Sequence, residues 1–109
     1  MTLFEEIKKS VRMEIRVDSK EYLEGVVTRE GLDLLQSILA KYLGPTAKGA
    51  GENATFSPPI VKLVASLGGI RPEQTFYYKE EKNRVVFAAL WPWGSNPDRV
   101  TLKSGISDL

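Results

Sequence analysis

The sequence predicts a two-layer α+β domain with a mainly antiparallel sheet of about five strands and two or three helices packed on one face. Three observations carry this prediction. Apolar residues alternate with polar ones in some stretches and recur at helical spacing in others. The resulting element order is α-β-β-α-α-β-β-β. The composition, 42% hydrophobic and 27% charged over 109 residues, is typical of one folded domain spanning 1–109.

The chain is expected to begin with a short helix followed by a strand. Thr2 and Glu5 have the spacing of a capping box, so a helix is predicted over residues 2–9. Apolar and charged side chains then alternate over residues 11–17. This period of two predicts a strand with one buried face.

The next segment has two interpretations. Turn-forming residues at 18–20 allow residues 21–27 to return as the second strand of a hairpin, which is the interpretation we favour. The alternative is a short helix that is capped by Asp18 and ends at Gly25.

Two helices are predicted in the middle of the chain. Residues 28–43 form an amphipathic helix that begins after Thr28 and ends at Gly44. Ser57 is followed by proline, which is typical of the start of a second helix over residues 58–67. The apolar stripe of the first helix consists of Leu32, Leu34, Leu35, Ile38, Leu39, Tyr42 and Leu43.

The last third is predicted to be sheet. An aromatic strand over residues 75–79 and a turn over residues 80–83 lead into a long apolar strand over residues 84–91. Val100 and Leu102 mark a final strand. The strand over residues 84–91 is apolar on both faces, so we expect it to be central. Its side chains divide into Val85, Phe87, Ala89 and Trp91 on one face and Val86, Ala88 and Leu90 on the other.

The composition excludes several classes of function. The chain has no histidine and no cysteine, which removes serine–histidine triads, thiol chemistry and zinc sites. Its 15 basic residues nearly balance 14 acidic ones, so binding to nucleic acid is not expected. We predict no catalytic residue, metal site or cofactor. No secretory leader or membrane span is apparent, so a cytoplasmic location is expected.

One Gly/Pro-rich segment, residues 44–59, could bind an anion or a nucleotide. Glycines allow close backbone approach, a helix N-terminus adds positive charge, and Lys48 could neutralise a phosphate. The favoured interpretation is a flexible connector over residues 44–57, since the segment follows a helix rather than a strand. The candidate ligand-binding residues are Lys48, Gly49, Gly51, Asn53, Thr55 and Ser57.

The aromatic residues suggest a different function. Trp93 follows a proline at a strand end, where full burial is not expected, and tryptophan is common at binding hot spots. We therefore predict an interaction module that acts through self-association, as a homodimer, or through a protein partner. Single-stranded nucleic acid on an aromatic sheet face is a weaker alternative. The candidate interface residues are Val86, Ala88, Leu90, Trp91 and Trp93.

Overall fold

The computed structural model describes residues 2–49, 51, 56–69, 71, 73–96 and 98–108. It has the predicted element order and confirms the α+β class. The helices are α1 (Leu3–Ser10), α2 (Arg29–Leu43) and α3 (Pro58–Ser66); the strands are β1 (Met13–Asp18), β2 (Tyr22–Thr28), β3 (Thr75–Glu81), β4 (Arg84–Pro92) and β5 (Arg99–Asp108). None of the helices in the described ranges is long and apolar enough to cross a membrane.

The five strands form one antiparallel sheet in the order β1-β2-β5-β4-β3. β1 and β2 form the hairpin that we favoured over a short helix. β3, β4 and β5 form a meander, and β5 returns to lie between β4 and β2. The last strand is therefore the central one, whereas β4 is interior but one place from the centre.

Two helices share one face of the sheet, as the fold class predicts. α1 begins at Thr2, whose side chain accepts a hydrogen bond from the Glu5 amide over 3.2 Å. Lys41 on α2 forms an ion pair with Glu6 on α1, with 2.8 Å between Nζ and Oε1. We call the sheet surface beneath α1 and α2 the first face. Its core includes Ile7, Val27, Leu35, Leu39, Ala88, Leu90 and Leu102.

The position of α3 differs from our expectation that residues 28–43 and 58–67 pack on the same face. Ile60 and Leu63 of α3 pack with residues that alternate with those of the first core, so α3 lies on the opposite, second face. The physical reason is that β3 and β4 carry large apolar side chains on both faces, and both need cover. The second core consists of Ile60, Leu63, Phe76, Val85, Phe87 and Ala89.

α3 covers only the β3–β4 half of the second face. The remaining part, formed by β5, β2 and β1, is covered by no described helix, and we call it the open half. Along it, Gly105 lies under the Phe87 ring, since a Cβ at this position would be 2.8 Å from Cζ of Phe87. Thr101 and Lys103 of β5 point to the same side and are partly exposed.

The prediction of a buried face on the first strand was wrong. β1 is a strand, but Ile15 is 46% exposed and Val17 is 41% exposed. β1 lies at the edge of the sheet, where only Met13 packs against the first core. The register shift between Ile15 and Val17 places Val17 opposite Glu24, so the alternating residues do not share one face. Leu34 also departs from the predicted apolar stripe of α2, since it is 46% exposed.

Candidate functional site

Lys48, the predicted anion ligand in the Gly/Pro-rich segment, is a structural residue. It pairs with Phe76 of β3 as an isolated antiparallel bridge, so this part of the segment extends the sheet edge. Its side chain is 4% exposed. The Nζ donates hydrogen bonds to the carbonyl oxygens of Gln74 over 2.5 Å and Gly49 over 3.0 Å. The ammonium therefore binds the protein backbone rather than facing a ligand.

The other predicted ligand residues do not supply a cation in place of Lys48. Gly49 supplies a carbonyl to Lys48, and Gly51 is exposed with a positive φ of 82°. Ser57 precedes α3 as expected, but its side chain makes no capping hydrogen bond. Asn53 and Thr55 lie outside the described residues. The described part of the segment thus presents no cation to an anionic ligand.

The predicted interface on the 84–91 strand also requires correction. Ala88 is 0% exposed and Leu90 is 2% exposed, and both lie in the first core beneath the helices. Val86 is partly buried against the same core. Ala88 and Leu90 cannot form a contact surface in the folded protein, because α1 and α2 already cover that part of the face, whereas Val86 keeps some exposure.

The two tryptophans lie on the second face, beside the open half. Trp93 is partly exposed, and its Nε1 donates to Oγ1 of Thr101 over 2.8 Å. Trp91 is partly buried against the second core, and the Nζ of Lys103 lies 3.8 Å from its ring centroid. The Arg16 guanidinium is 5.9 Å from the Trp93 ring centroid. Each indole therefore has a cation beside it.

A cavity of about 360 Å³ separates these rings from the C-terminal end of α3. Gly68 and Gly69 end the helix with positive φ angles of 97° and 86°, which allows the chain to turn away here. Trp91 is part of the wall, and its Nε1 is buried with no hydrogen-bond partner among the described residues. The lining consists of Leu67, Gly68, Gly69, Arg71, Gln74, Trp91, Pro92, Trp93 and Thr101.

The neighbouring strand β2 adds polar groups to the open half. The Tyr22 hydroxyl donates to Glu24 over 2.7 Å. Burial, followed by this hydrogen bond and the carboxylate charge, raises the pKa of Tyr22 well above its ordinary value. Burial alone raises the pKa of Tyr77. Both phenols are therefore protonated near neutral pH and cannot act there as general bases.

The sequence analysis did not name four residues that lie on the open half or beside the two tryptophans: Arg16, Thr101, Lys103 and Tyr22. A usable signal existed for two of them, because Thr101 and Lys103 alternate with the apolar Val100 and Leu102. The contribution of Arg16 required knowledge of the strand order.

Three of the strand aromatics, Phe76, Tyr77 and Tyr78, do not share one exposed face. Phe76 and Tyr78 cluster with Phe56, with ring centroids 5.7 Å and 6.2 Å from that of Phe56. Phe76 is fully buried in the second core, and Tyr78 packs against it. Tyr77 points to the opposite face, into the first core. Stacking of successive bases on these three rings is therefore blocked by the packing of the protein itself.

The described residues contain no group of three acidic side chains that could hold a metal ion. Comparison of the chain with protein-family models, curated proteins and solved structures finds no match.

Proposed function

We propose that this protein is a non-enzymatic cytoplasmic interaction module that acts through contact with a protein partner. The contact surface consists of Trp91, Trp93, Arg16, Thr101 and Lys103, and we call it the tryptophan surface. The observation that supports the proposal is that α3 covers only half of the second face and leaves Trp93 partly exposed beside a cavity.

The chemistry of the surface suggests the kind of partner. Tryptophan and arginine are enriched among residues that dominate binding energy at protein interfaces. The cavity beside Trp91 and Trp93 can accept an apolar side chain. Lys103 beside the Trp91 ring and Arg71 in the cavity lining add positive charge, which favours carboxylates on the partner. A peptide segment with an apolar anchor flanked by acidic residues fits these features.

Replacement of Trp93 with alanine is expected to weaken binding of such a segment by about tenfold or more, because it removes a central aromatic anchor. The measurement uses linear peptides selected from a random library on the wild-type protein, with affinities determined by isothermal titration calorimetry. Val61→Ala is the matched control, since Val61 is 50% exposed but lies on α3. That variant is expected to bind like wild type.

Two further measurements test whether Trp93 only stabilises the fold and does not contact the peptide. Trp93→Phe retains an aromatic ring, so it is expected to recover much of the affinity. The denaturation midpoint of each variant shows whether the fold survives. Equal peptide affinities for wild type and a folded Trp93→Ala variant would contradict the proposal, as would selected peptides that lack both apolar and acidic residues.

A small anionic ligand is a second candidate, now placed in the cavity instead of the Gly/Pro-rich segment. The observation that favours it is the cationic Arg71, which lines this cavity together with the Trp91 ring. Titration with inorganic phosphate and simple aromatic carboxylates is expected to shift the Trp91 indole N–H signal in NMR spectra. Arg71→Glu is expected to abolish the shift, whereas Lys62→Glu on α3 is expected to leave it unchanged. No shift with any of these anions would exclude this candidate.

A further inference from the structure

A second cavity, of about 420 Å³, lies at the N-terminal end of α3, between this helix and the ends of β4 and β5. Leu63 of α3 and Val85 of β4 form its apolar part, and Ser107 of β5 is part of its wall. Lys62 adds a cation to the lining. The cavity beside the tryptophans lies at the other end of the same helix. Each end of α3 therefore has a space beside it that a side chain of another molecule can enter.

The two cavities form one trough between α3 and β5, which we call the β5 trough. Ser66 lines the first cavity and the next residue, Leu67, lines the second, so the cavities adjoin along α3. On the sheet, Ser107 lines the first and Thr101 lines the second. These two residues are six positions apart on β5, which corresponds to about 20 Å of strand. A ligand that reaches both cavities must therefore be elongated.

Cations are spread along the β5 trough. Arg71 lines the cavity at the tryptophan end, and Lys62 lines the cavity at the other end. Lys103 is in the middle of β5 and points to the second face, where its Nζ lies 3.8 Å from the Trp91 ring centroid. The three positive charges thus accompany the whole length of the trough.

Two carboxylates beside the trough interact with groups of the protein itself. Glu24 lies across from Lys103 in the β2–β5 ladder, but it accepts a hydrogen bond from the Tyr22 hydroxyl over 2.7 Å. Asp108 lines the first cavity and pairs with Arg84, with 3.8 Å between Oδ1 and Nε. The charge of the trough therefore complements an acidic ligand better than a basic one.

The surface next to α3 favours an extended ligand over a helix. Thr101, Lys103 and Ser107 on β5, with Tyr22 and Glu24 on β2, make this part of the sheet mainly polar. A helix that packs on a sheet buries an apolar stripe, and a polar surface gives such a stripe little to contact. An extended segment instead presents backbone N–H and C=O groups, with which hydroxyl and ammonium groups can form hydrogen bonds.

We infer that the partner segment lies lengthwise in the β5 trough as an extended acidic peptide with two apolar anchors. One anchor enters the cavity beside Trp93. The second, about six residues away along the peptide, enters the cavity formed by Leu63 and Val85. An acidic residue between the anchors faces Lys103. This inference rests on the proposed function and adds the conformation of the partner, its direction across the sheet and its second anchor.

The second anchor is tested by blocking its cavity with Ser107→Phe. Ser107 is partly exposed near the end of β5, so the fold is expected to tolerate an aromatic ring there. In isothermal titration calorimetry, affinity for peptides selected from a random library on the wild-type protein is expected to fall about tenfold. Ser107→Thr is the matched control, since it leaves the cavity open and is expected to bind like wild type. Denaturation midpoints show that both variants fold.

The contact with Lys103 is tested by charge reversal. Lys103→Glu is expected to weaken binding of the same peptides by about tenfold, because the central acidic residue then meets a like charge. A peptide in which this acidic residue is replaced with lysine is expected to recover the affinity for the variant. Lys9→Glu makes the same change at an exposed position on α1, outside the trough, and is expected to leave binding unchanged.

The selected peptide sequences test the extended conformation. Two apolar positions about six residues apart are expected, whereas a spacing of about thirteen, which a helix of this length requires, would overturn the inference. Unchanged affinity of a folded Ser107→Phe variant would also overturn it, as would a lysine peptide that fails to rescue Lys103→Glu. If Trp93→Ala weakens binding but Ser107→Phe does not, the proposed function survives and the second anchor is wrong. If neither variant changes binding, or if the library yields no binding peptide, both are wrong.

Discussion

Replacement of Lys48 with glutamate is expected to destabilise the protein by about 3–5 kcal/mol, the typical cost of an uncompensated buried charge. Lys48 is 4% exposed, and its ammonium donates to the carbonyl oxygens of Gln74 and Gly49. A carboxylate in this position would face carbonyl oxygens, which repel it, in a site with little access to water. Since small domains have a total stability of about 5–15 kcal/mol, much of the population could unfold. Urea denaturation followed by tryptophan fluorescence measures the loss.

Lys48→Met is the control for this substitution. It retains an aliphatic chain of similar length but removes the charge and the hydrogen bonds, so a smaller loss of about 1–3 kcal/mol is expected. A glutamate variant that is as stable as the methionine variant would show that the ammonium is exposed in solution. That result would restore Lys48 as a candidate anion ligand.

Truncation of Phe76 to alanine is expected to cost about 3–5 kcal/mol, the range for large aromatic residues in protein cores. The Phe76 side chain is fully buried and has two aromatic neighbours, Phe56 at 5.7 Å and Tyr78 at 5.8 Å between ring centroids. Its loss leaves a cavity in the second core, because the surrounding side chains relax only partly to fill such a space. Chemical denaturation gives the change in the free energy of unfolding.

Phe76→Leu serves as the comparison, because it keeps most of the apolar volume and should lose clearly less stability than alanine. Tyr78→Ala, at a partly buried neighbour on the same face, should fall between wild type and Phe76→Ala. A loss below about 1 kcal/mol for Phe76→Ala would mean that the site is already hydrated, and that α3 does not pack on β3 as described.

Local patterns were sufficient to predict the elements themselves. The Thr2–Glu5 spacing identified α1, and the Ser57–Pro58 pair identified the start of α3. The division of β4 into two apolar faces was also correct, because side chains alternate strictly along a strand. These features depend on neighbours in sequence, so the sequence alone contains them.

Local sequence patterns could not predict how the helices and strands are arranged in space. α3 could satisfy its apolar surface on either face, and its place on the second face depends on contacts such as that of Ile60 with the core around Phe87, residues far apart in sequence. β5 lies at the centre although it contains Ser104 and Gly105, which give no hydrophobic signal. The Ser104 hydroxyl can be buried because it donates to the Phe87 carbonyl over 2.8 Å. This contact forms only because β5 lies next to β4, which the sequence does not reveal.

The candidate site was also predicted only in part from the sequence. Trp93 was predicted from its position after a proline, and it does lie on the surface that we propose. Ala88 and Leu90 were assigned to that surface because two-sided apolar strands can have an uncovered face. The structure shows both faces of β4 covered, since α3 supplies the second layer. Lys48 was chosen for its charge and its glycine neighbours, and neither property reveals that its ammonium would be buried.

The off-centre position of α3 also has a consequence for motion. Among the described residues, the second core has six buried members and the first has fifteen, so α3 is held by much less apolar contact than α1 and α2. Regions with few buried contacts open by local unfolding at a lower free energy than the whole domain. When α3 detaches, Phe76 and Phe87 become accessible and the open half extends across all five strands. The area that the second face offers to another molecule is thus an equilibrium property of the fold, set by how often this one helix leaves the sheet.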